Sequence, residues 1–278
     1  MPELPEVETI ARGVNERLKG DRIAEAWFGS HREPFKTPPA RQAEGLEGRA
    51  ILRVLRVGKH IVCELGGVDS ETDGAPQAEW IVHLGMTGRL LVTTPEGPVA
   101  PHTHARLTLA SGREMRFVDP RRFGRLEFRE LATDEAFHGP GSEPLTISVE
   151  EFAGLFRGRK LAIKAALLNQ TLLHGVGNIY ADESLFRAGI RPTRMAGRLT
   201  RAELARLHAA LLLVLHHAIE LGGSSVSDYV DADGVRGFFQ LEHRVYMRTG
   251  EPCLVCATPI QRILLAGRGT HFCPVCQR

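Results

Sequence analysis

The chain reads as an α+β protein of several domains: an N-terminal helix joined to a β-sandwich or barrel, then a helical domain, then a short C-terminal hairpin. Three observations predict this. Short β segments separated by Gly, Pro and polar turns crowd the first half. After Gly139-Pro140-Gly141-Ser142-Glu143-Pro144 the apolar period becomes helical. The chain closes on two C-x-x-C pairs, Cys253-Leu254-Val255-Cys256 and Cys273-Pro274-Val275-Cys276, with sixteen residues between them. The expected domains are 1–131, 132–243 and 244–278.

Each element has its own signal. Residues 5–19 predict a helix: Val7, Ile10, Ala11, Val14 and Leu18 form one apolar face, and Pro5 sits near the start, where a missing N–H costs nothing. Between about 22 and 130 the β segments are 50–65, 80–84, 89–93, 105–110, 113–118 and 125–129, with polar loops at 66–79 and 94–104. Helices are expected at 149–156, 161–169, 180–188 and 201–221. The last carries Leu204, Leu207, Leu211, Leu215 and Ile219 on one face, and Gly222-Gly223 ends it. Residues 224–241 show no period and read as a mobile loop.

Composition bounds the function. The net charge is only +2, so basic character must be local if it matters. No stretch reads as the roughly twenty apolar residues of a membrane span. The N-terminus lacks the layout of a secretory signal. A cytoplasmic protein is expected, in which cysteines more often bind metal than form disulfides. Four of the five cysteines lie in the two C-x-x-C pairs, and that spacing suits one tetrahedral zinc ion held by Cys253, Cys256, Cys273 and Cys276. Four thiolates leave no open position for a catalytic water, so the zinc is expected to be structural. From Arg244 to Arg278 there are five arginines and one acidic residue, Glu251. A cationic, metal-stapled module points to a polyanion, with nucleic acid the leading candidate.

Several residues have two readings. With Met1 removed, Pro2 presents a secondary amine that can attack an electrophilic carbon and form an iminium with a sugar aldehyde, while Glu3 moves a proton; the bland alternative is an ordinary terminus. Lys59, in a β segment after Gly58, is either a solvated lysine or a general acid or phosphate contact. Asp119-Pro120-Arg121-Arg122-Phe123-Gly124 is a turn that presents a wedge, Arg121 to a base edge and Phe123 between stacked bases, or a β-turn with a core Phe. Gly175-Val176-Gly177-Asn178 is a helix start able to hold phosphate, or a plain interhelical turn with Asn178 as its cap. Arg157, Arg159, Lys160 and Lys164 form a basic cluster, and such clusters are usually solvated faces. Arg268, between the zinc knuckles, lies at or near a hairpin tip. His102 and His104 sit in a loop within reach of a phosphate. Cys63 reads as a small buried hydrophobe.

Taken in order, Met1-Pro2-Glu3-Leu4-Pro5-Glu6-Val7-Glu8-Thr9, His83-Leu84-Gly85-Met86-Thr87-Gly88, the Asp119–Gly124 turn, Gly175-Val176-Gly177-Asn178-Ile179-Tyr180-Ala181 and the closing cysteine hairpin resemble the bacterial formamidopyrimidine-DNA glycosylases along essentially the whole chain. The resemblance implies a β-sandwich, a helix–two-turn–helix domain and a zinc finger. It implies a base-excision repair enzyme acting on duplex DNA, removing 8-oxoguanine and formamidopyrimidines and cutting the strand by β,δ-elimination; a monomer on DNA is the default expectation. It implies that Pro2 is the nucleophile, Glu3 its acid/base partner, and Lys59 and Arg268 proton donors in the lyase steps. Met86, Arg121 and Phe123 resemble residues that fill the gap left by a flipped nucleotide, and His102, Arg159, Lys164 and Asn178 resemble phosphate contacts. Arg159 stands where lysine is common. The segment 224–240 resembles the part that closes over the everted base. The cell location implied is the bacterial cytoplasm, at the nucleoid. Two other readings are an endonuclease VIII-like enzyme for oxidised pyrimidines and a non-catalytic DNA-binding protein on the same scaffold.

Overall fold

The computed structural model describes residues 1–31, 34–68, 74–226 and 229–278. The chain divides into two compact units, residues 1–138 with 222–237, and residues 139–221 with 238–278.

The first unit begins with helix α1 (Leu4–Leu18). Its start is fixed by a capping box in which the Glu3 side chain accepts the Glu6 N–H and the Glu6 side chain accepts the Glu3 N–H. Val7, Ile10, Ala11, Val14 and Leu18 are all buried, so the predicted apolar face is the packing face. Strand β1 (Ile23–Phe28) and helix α2 (Pro39–Leu46) follow, then β2 (Arg49–Val57), β3 (His60–Val68), β4 (Ala78–His83), β5 (Arg89–Thr93), β6 (Thr103–Leu109), β7 (Glu114–Val118) and β8 (Arg125–Glu130). They form two antiparallel four-stranded sheets, ordered β1-β6-β7-β5 and β2-β3-β4-β8. One core joins them: Leu65, Trp80, Val82 and Leu126 from one sheet, Leu90, Leu107, Met115 and Phe117 from the other, and the apolar face of α1.

Three local expectations change. The single β segment at 50–65 is a hairpin, turning at Gly58-Lys59 with Gly58 at φ 60°. Apolar residues on both sides conceal the turn, so Lys59 lies on the turn and not within a strand. Helix α2 buries only Gln42 and Leu46, too little to show an apolar period. The strands β3, β4 and β6 run a few residues into the expected polar loops at 66–79 and 94–104.

The second unit contains α3 (Val149–Phe156), α4 (Ile163–Leu167), α5 (Asn178–Ala188) and α6 (Arg201–Glu220), then the strands β9 (Gln261–Leu265) and β10 (Arg268–Phe272). Capping boxes start α3 at Ser148/Glu151 and α6 at Thr200/Glu203. Gly189, left-handed at φ 68°, ends α5. By length and composition α6 is apolar enough to cross a membrane, which the sequence reading had not allowed for. Its buried Leu204, Leu207, Leu211 and Leu215 form the side that packs on α3 and α5, as in the core helix of a bundle.

The units differ from the expected three-way division. The first extends to His138, and residues 222–237 return to it through buried Tyr229 and Ala232. The cysteine hairpin is not a body of its own. Val245, Cys253, Ile260 and Cys273 share a small core with Phe186 of α5, because so short a module cannot bury enough apolar surface alone. The segment read as a mobile loop is irregular but anchored. Ser227 and Asp228 within it lie outside the described residues.

Trp80, 1% exposed, donates its indole N–H to Gln42 Oε1 at 2.9 Å. Replacing Gln42 with Leu keeps the volume but leaves that donor buried without a partner. A loss of about 1–3 kcal/mol is expected in urea unfolding followed by Trp fluorescence.

Candidate functional site

In the first unit, Pro2 and Glu3 are both buried, immediately before the first turn of α1. Glu6, 2% exposed, holds this terminus: its Oε2 accepts the Glu3 N–H at 2.7 Å and its Oε1 accepts the Ser224 N–H at 2.7 Å. The Tyr229 hydroxyl donates to the Gly222 carbonyl at 3.0 Å and lies 3.4 Å from the Glu6 carbonyl. The Ala232 carbonyl accepts the Val92 N–H at 3.0 Å. The 222–237 segment therefore lies against the N-terminal end of α1 and against β5.

A second cluster lies at the ends of β3, β4 and β8. Lys59 is half-buried on its turn. Beside it, the His60 and His83 rings are 4.8 Å apart. Burial pushes the pKa of both down to about 4; His83 and Lys36 add to the lowering at His60, and Lys59, Lys36 and Arg125 add to it at His83. Both imidazoles are therefore neutral at physiological pH. With Lys36, Ile81, Arg125 and Glu127 they line a cavity of about 190 Å³.

A third cluster is the wedge. Met86, Arg121, Arg122 and Phe123 are exposed, and the Arg121 guanidinium stacks on the Phe123 ring at 4.7 Å. Gly85 (φ 63°) packs so tightly that a Cβ there would come within 2.5 Å of the Phe123 backbone, which brings Met86 beside the Arg121–Phe123 turn. Asp119, fully buried, organises both: Oδ1 accepts the Thr87 hydroxyl (2.6 Å) and the Arg121 N–H (3.2 Å), and Oδ2 accepts the Gly124 N–H (2.8 Å). The Asp119 N–H donates to the carbonyl of exposed His102 at 3.0 Å, and His104 Nε2 is 3.0 Å from the Asp119 carbonyl. His102 and the wedge turn are thereby joined.

In the second unit, Asn178 is the first residue of α5 and Gly177 is its cap. Asn178 Nδ2 donates to the Gly269 carbonyl at 2.9 Å. Arg268 is exposed at the head of β10, directly after the two-residue turn Ala266-Gly267 (φ 48° and 73°). Arg159 is half-buried and donates Nε–H to the Leu155 carbonyl. Lys164 departs from the phosphate contact that the resemblance implies. It is fully buried, 2.7 Å from Asp182 Oδ1, and donates to the Gly269 carbonyl (3.0 Å) and to Thr270 Oγ1 (2.8 Å). Asp182 Oδ2 also accepts the His271 N–H at 2.9 Å. The ammonium is thus committed inside the protein, where it bolts the hairpin to α4 and α5.

Helix α5 anchors the start of the zinc module by a second carboxylate. Glu183 accepts the N–H groups of Arg244, Val245 and Tyr246 at 2.9–3.0 Å. Burial raises its pKa, and those three donors oppose the rise. The four cysteine sulfurs lie within 4.8 Å of one another, with Cys253–Cys276 at 3.9 Å and Cys256–Cys273 at 3.5 Å. Tetrahedral zinc with Zn–S bonds of about 2.3 Å requires sulfurs about 3.8 Å apart, so the donor set fits one structural zinc ion.

Sequence reasoning missed Glu6, Asp119, Asp182 and Glu183 as organisers. Asp119 heads a Pro-Arg-Arg-Phe-Gly turn, a signal for a buried cap. Glu6 stands three residues after Glu3, as a capping box requires. Asp182-Glu183 looks like a solvated acidic pair, and nothing in the sequence betrays its burial.

Known proteins resemble the chain along its whole length. The family models for the formamidopyrimidine-DNA glycosylase N-terminal domain, the H2TH domain of the same enzymes, and the zinc finger found in FPG and IleRS match residues 1–126, 139–230 and 250–278. The chain is 48% identical to a formamidopyrimidine-DNA glycosylase of Solibacter usitatus over the full length of both. It superposes with a TM-score of 0.84 on the crystal structure of the MutM (FPG) protein of Thermus thermophilus, at 41% identity with 99% and 98% of the two chains covered. It superposes with a TM-score of 0.86 on a Lactococcus lactis FPG mutant in complex with Fapy-dG-containing DNA, at 34% identity with both chains fully covered.

Two outcomes are expected. Lys164→Met leaves Asp182 buried without its cation, which lowers unfolding free energy by about 3–5 kcal/mol, and the double change with Asp182→Leu restores only part of the loss, because the buried His271 N–H then lacks its acceptor. Cys273→Ser removes one of four ligands; metal analysis then finds less than one zinc per chain, and DNA affinity falls while the first unit keeps its thermal transition.

Proposed function

The chain belongs to the formamidopyrimidine-DNA glycosylase family and is a DNA glycosylase of oxidised-base repair with one structural zinc, and we propose that it removes oxidised purines through Pro2 and then cuts the strand. The observation that carries this reading is the N-terminus itself: Pro2 and Glu3 are held side by side and buried, before a helix whose cap fixes the Glu3 backbone.

The lesion nucleotide must leave the stack, because its C1′ is out of reach in the duplex. With Met1 removed, the Pro2 nitrogen attacks C1′, the glycosidic bond breaks, and the base departs. The sugar ring opens to give a Schiff base on Pro2, with Glu3 as acid/base partner. Loss of a C2′ proton then expels the 3′-phosphate by β-elimination, and δ-elimination expels the 5′-phosphate. Lys59, adjoining the neutral histidine pair, is the proposed proton donor of the lyase phase, and Arg268 that of δ-elimination. Met86, Arg121 and Phe123 are proposed to fill the vacated space, Arg121 meeting the opposing cytosine. His102, Arg159 and Asn178 are proposed phosphate contacts, and Lys164 a support for Gly269 in place of such a contact.

The relatives are bacterial proteins named formamidopyrimidine-DNA glycosylase; action in the cytoplasm, association with the nucleoid and action as a monomer are part of the proposal. Borohydride reduction tests the chemistry. A duplex with 8-oxoguanine opposite cytosine should become covalently linked at Pro2, and a form that retains Met1 should bind the duplex without linking. Linkage to any side chain would overturn the Pro2 mechanism, and clear preference for thymine glycol would favour the endonuclease VIII-like reading.

A further inference from the structure

We propose that Glu6 is a positioning residue that latches the start of the 222–237 segment to the catalytic N-terminus, so that base removal depends on both being held by one carboxylate. This rests on the function proposed above. Glu6 lies outside the set of residues to which sequence or resemblance assigns a chemical step. Its two oxygens are divided: one holds the Glu3 N–H and the other the Ser224 N–H, each at 2.7 Å and both out of water.

The neighbouring residues are shaped around that contact. Gly223 has φ 82°, and a Cβ there would lie 2.9 Å from Glu6 Cγ and Oε1, so only glycine lets the segment approach this closely. Ser225 Oγ donates to the Tyr229 carbonyl (3.0 Å) and accepts the Gly237 N–H (2.9 Å), which closes the segment on itself behind the contact. Tyr229 reaches back to the Gly222 carbonyl. The wall beside Pro2 and Glu3 is therefore built from residues more than two hundred positions away, and Glu6 joins the two parts.

The latch acts on a specific step. A damaged-base substrate and an abasic substrate share the sugar that Pro2 attacks and differ in the base. A segment fixed beside the nucleophile bears on the placement and departure of that base. A side chain needed only to cap α1 would affect both substrates alike.

Two substitutions approach the contact from opposite sides. Glu6→Gln offers one acceptor oxygen where two N–H groups need one each, so the cap or the latch is lost. Gly223→Ala keeps the Glu6 carboxylate and places a Cβ against its Ser224-facing side, which pushes the segment away. Single-turnover assays with the full-length zinc-loaded protein would measure 8-oxoguanine excision and cleavage of a preformed abasic site. Both variants are expected to slow excision at least tenfold, and Gly223→Ala, which keeps the capping carboxylate, is expected to leave abasic cleavage within about threefold of wild type. Wild-type excision in both variants, or equal loss on both substrates in Gly223→Ala, would overturn the latch. A wild-type protein that releases no 8-oxoguanine would instead overturn the proposed function.

Discussion

A carboxylate taken out of water must find donors, and in this protein the donors are chiefly backbone N–H groups. Glu6 receives those of Glu3 and Ser224, Asp119 those of Arg121 and Gly124, Asp182 that of His271, and Glu183 those of Arg244, Val245 and Tyr246. Hydrogen bonds to a charged acceptor are short and strong, and they offset the desolvation of a buried carboxylate. They also act on the main chain. A side-chain contact can be lost by rotation, whereas a carboxylate bound to successive N–H groups sets the path of a turn.

The same device fixes the backbone beneath exposed side chains. Arg121 and Phe123 project into solvent, yet Asp119 fixes the turn beneath them and Gly85 brings Met86 alongside. Arg268 projects from a tight turn whose next residue, Gly269, is held at its carbonyl by Lys164 and Asn178. The zinc thiolates close the base of the hairpin, and the bonds from α4 and α5 hold its tip-proximal strand. Metal and ion pair thus divide the work of making a short hairpin rigid.

The helix signals, the sandwich strands and the zinc ligands were legible because each rests on a local period or spacing. The apolar face of α1, the stripe on α6 and the two C-x-x-C pairs all keep their meaning in isolation. The Gly58-Lys59 turn was hidden inside an apolar run, and α2 was hidden because Gln42 does its work through a polar bond to Trp80. Lys164 shows a third kind of failure. A lysine among Arg157, Arg159 and Lys160 looks like part of a solvated cationic face, and its interior partner Asp182 is eighteen positions further along the chain.

The sequence by itself determined the chemistry on offer: a proline at position 2 next to a glutamate, four thiolates at zinc spacing, and arginines on glycine-flanked turns. Those properties depend on residue type and near neighbours, which the chain states directly. Only the tertiary structure decided which charges face solvent and which serve as internal anchors. Glu6 meeting Ser224 and Lys164 meeting Gly269 are contacts between distant positions, and burial, which sets their strength, exists only once the chain has packed.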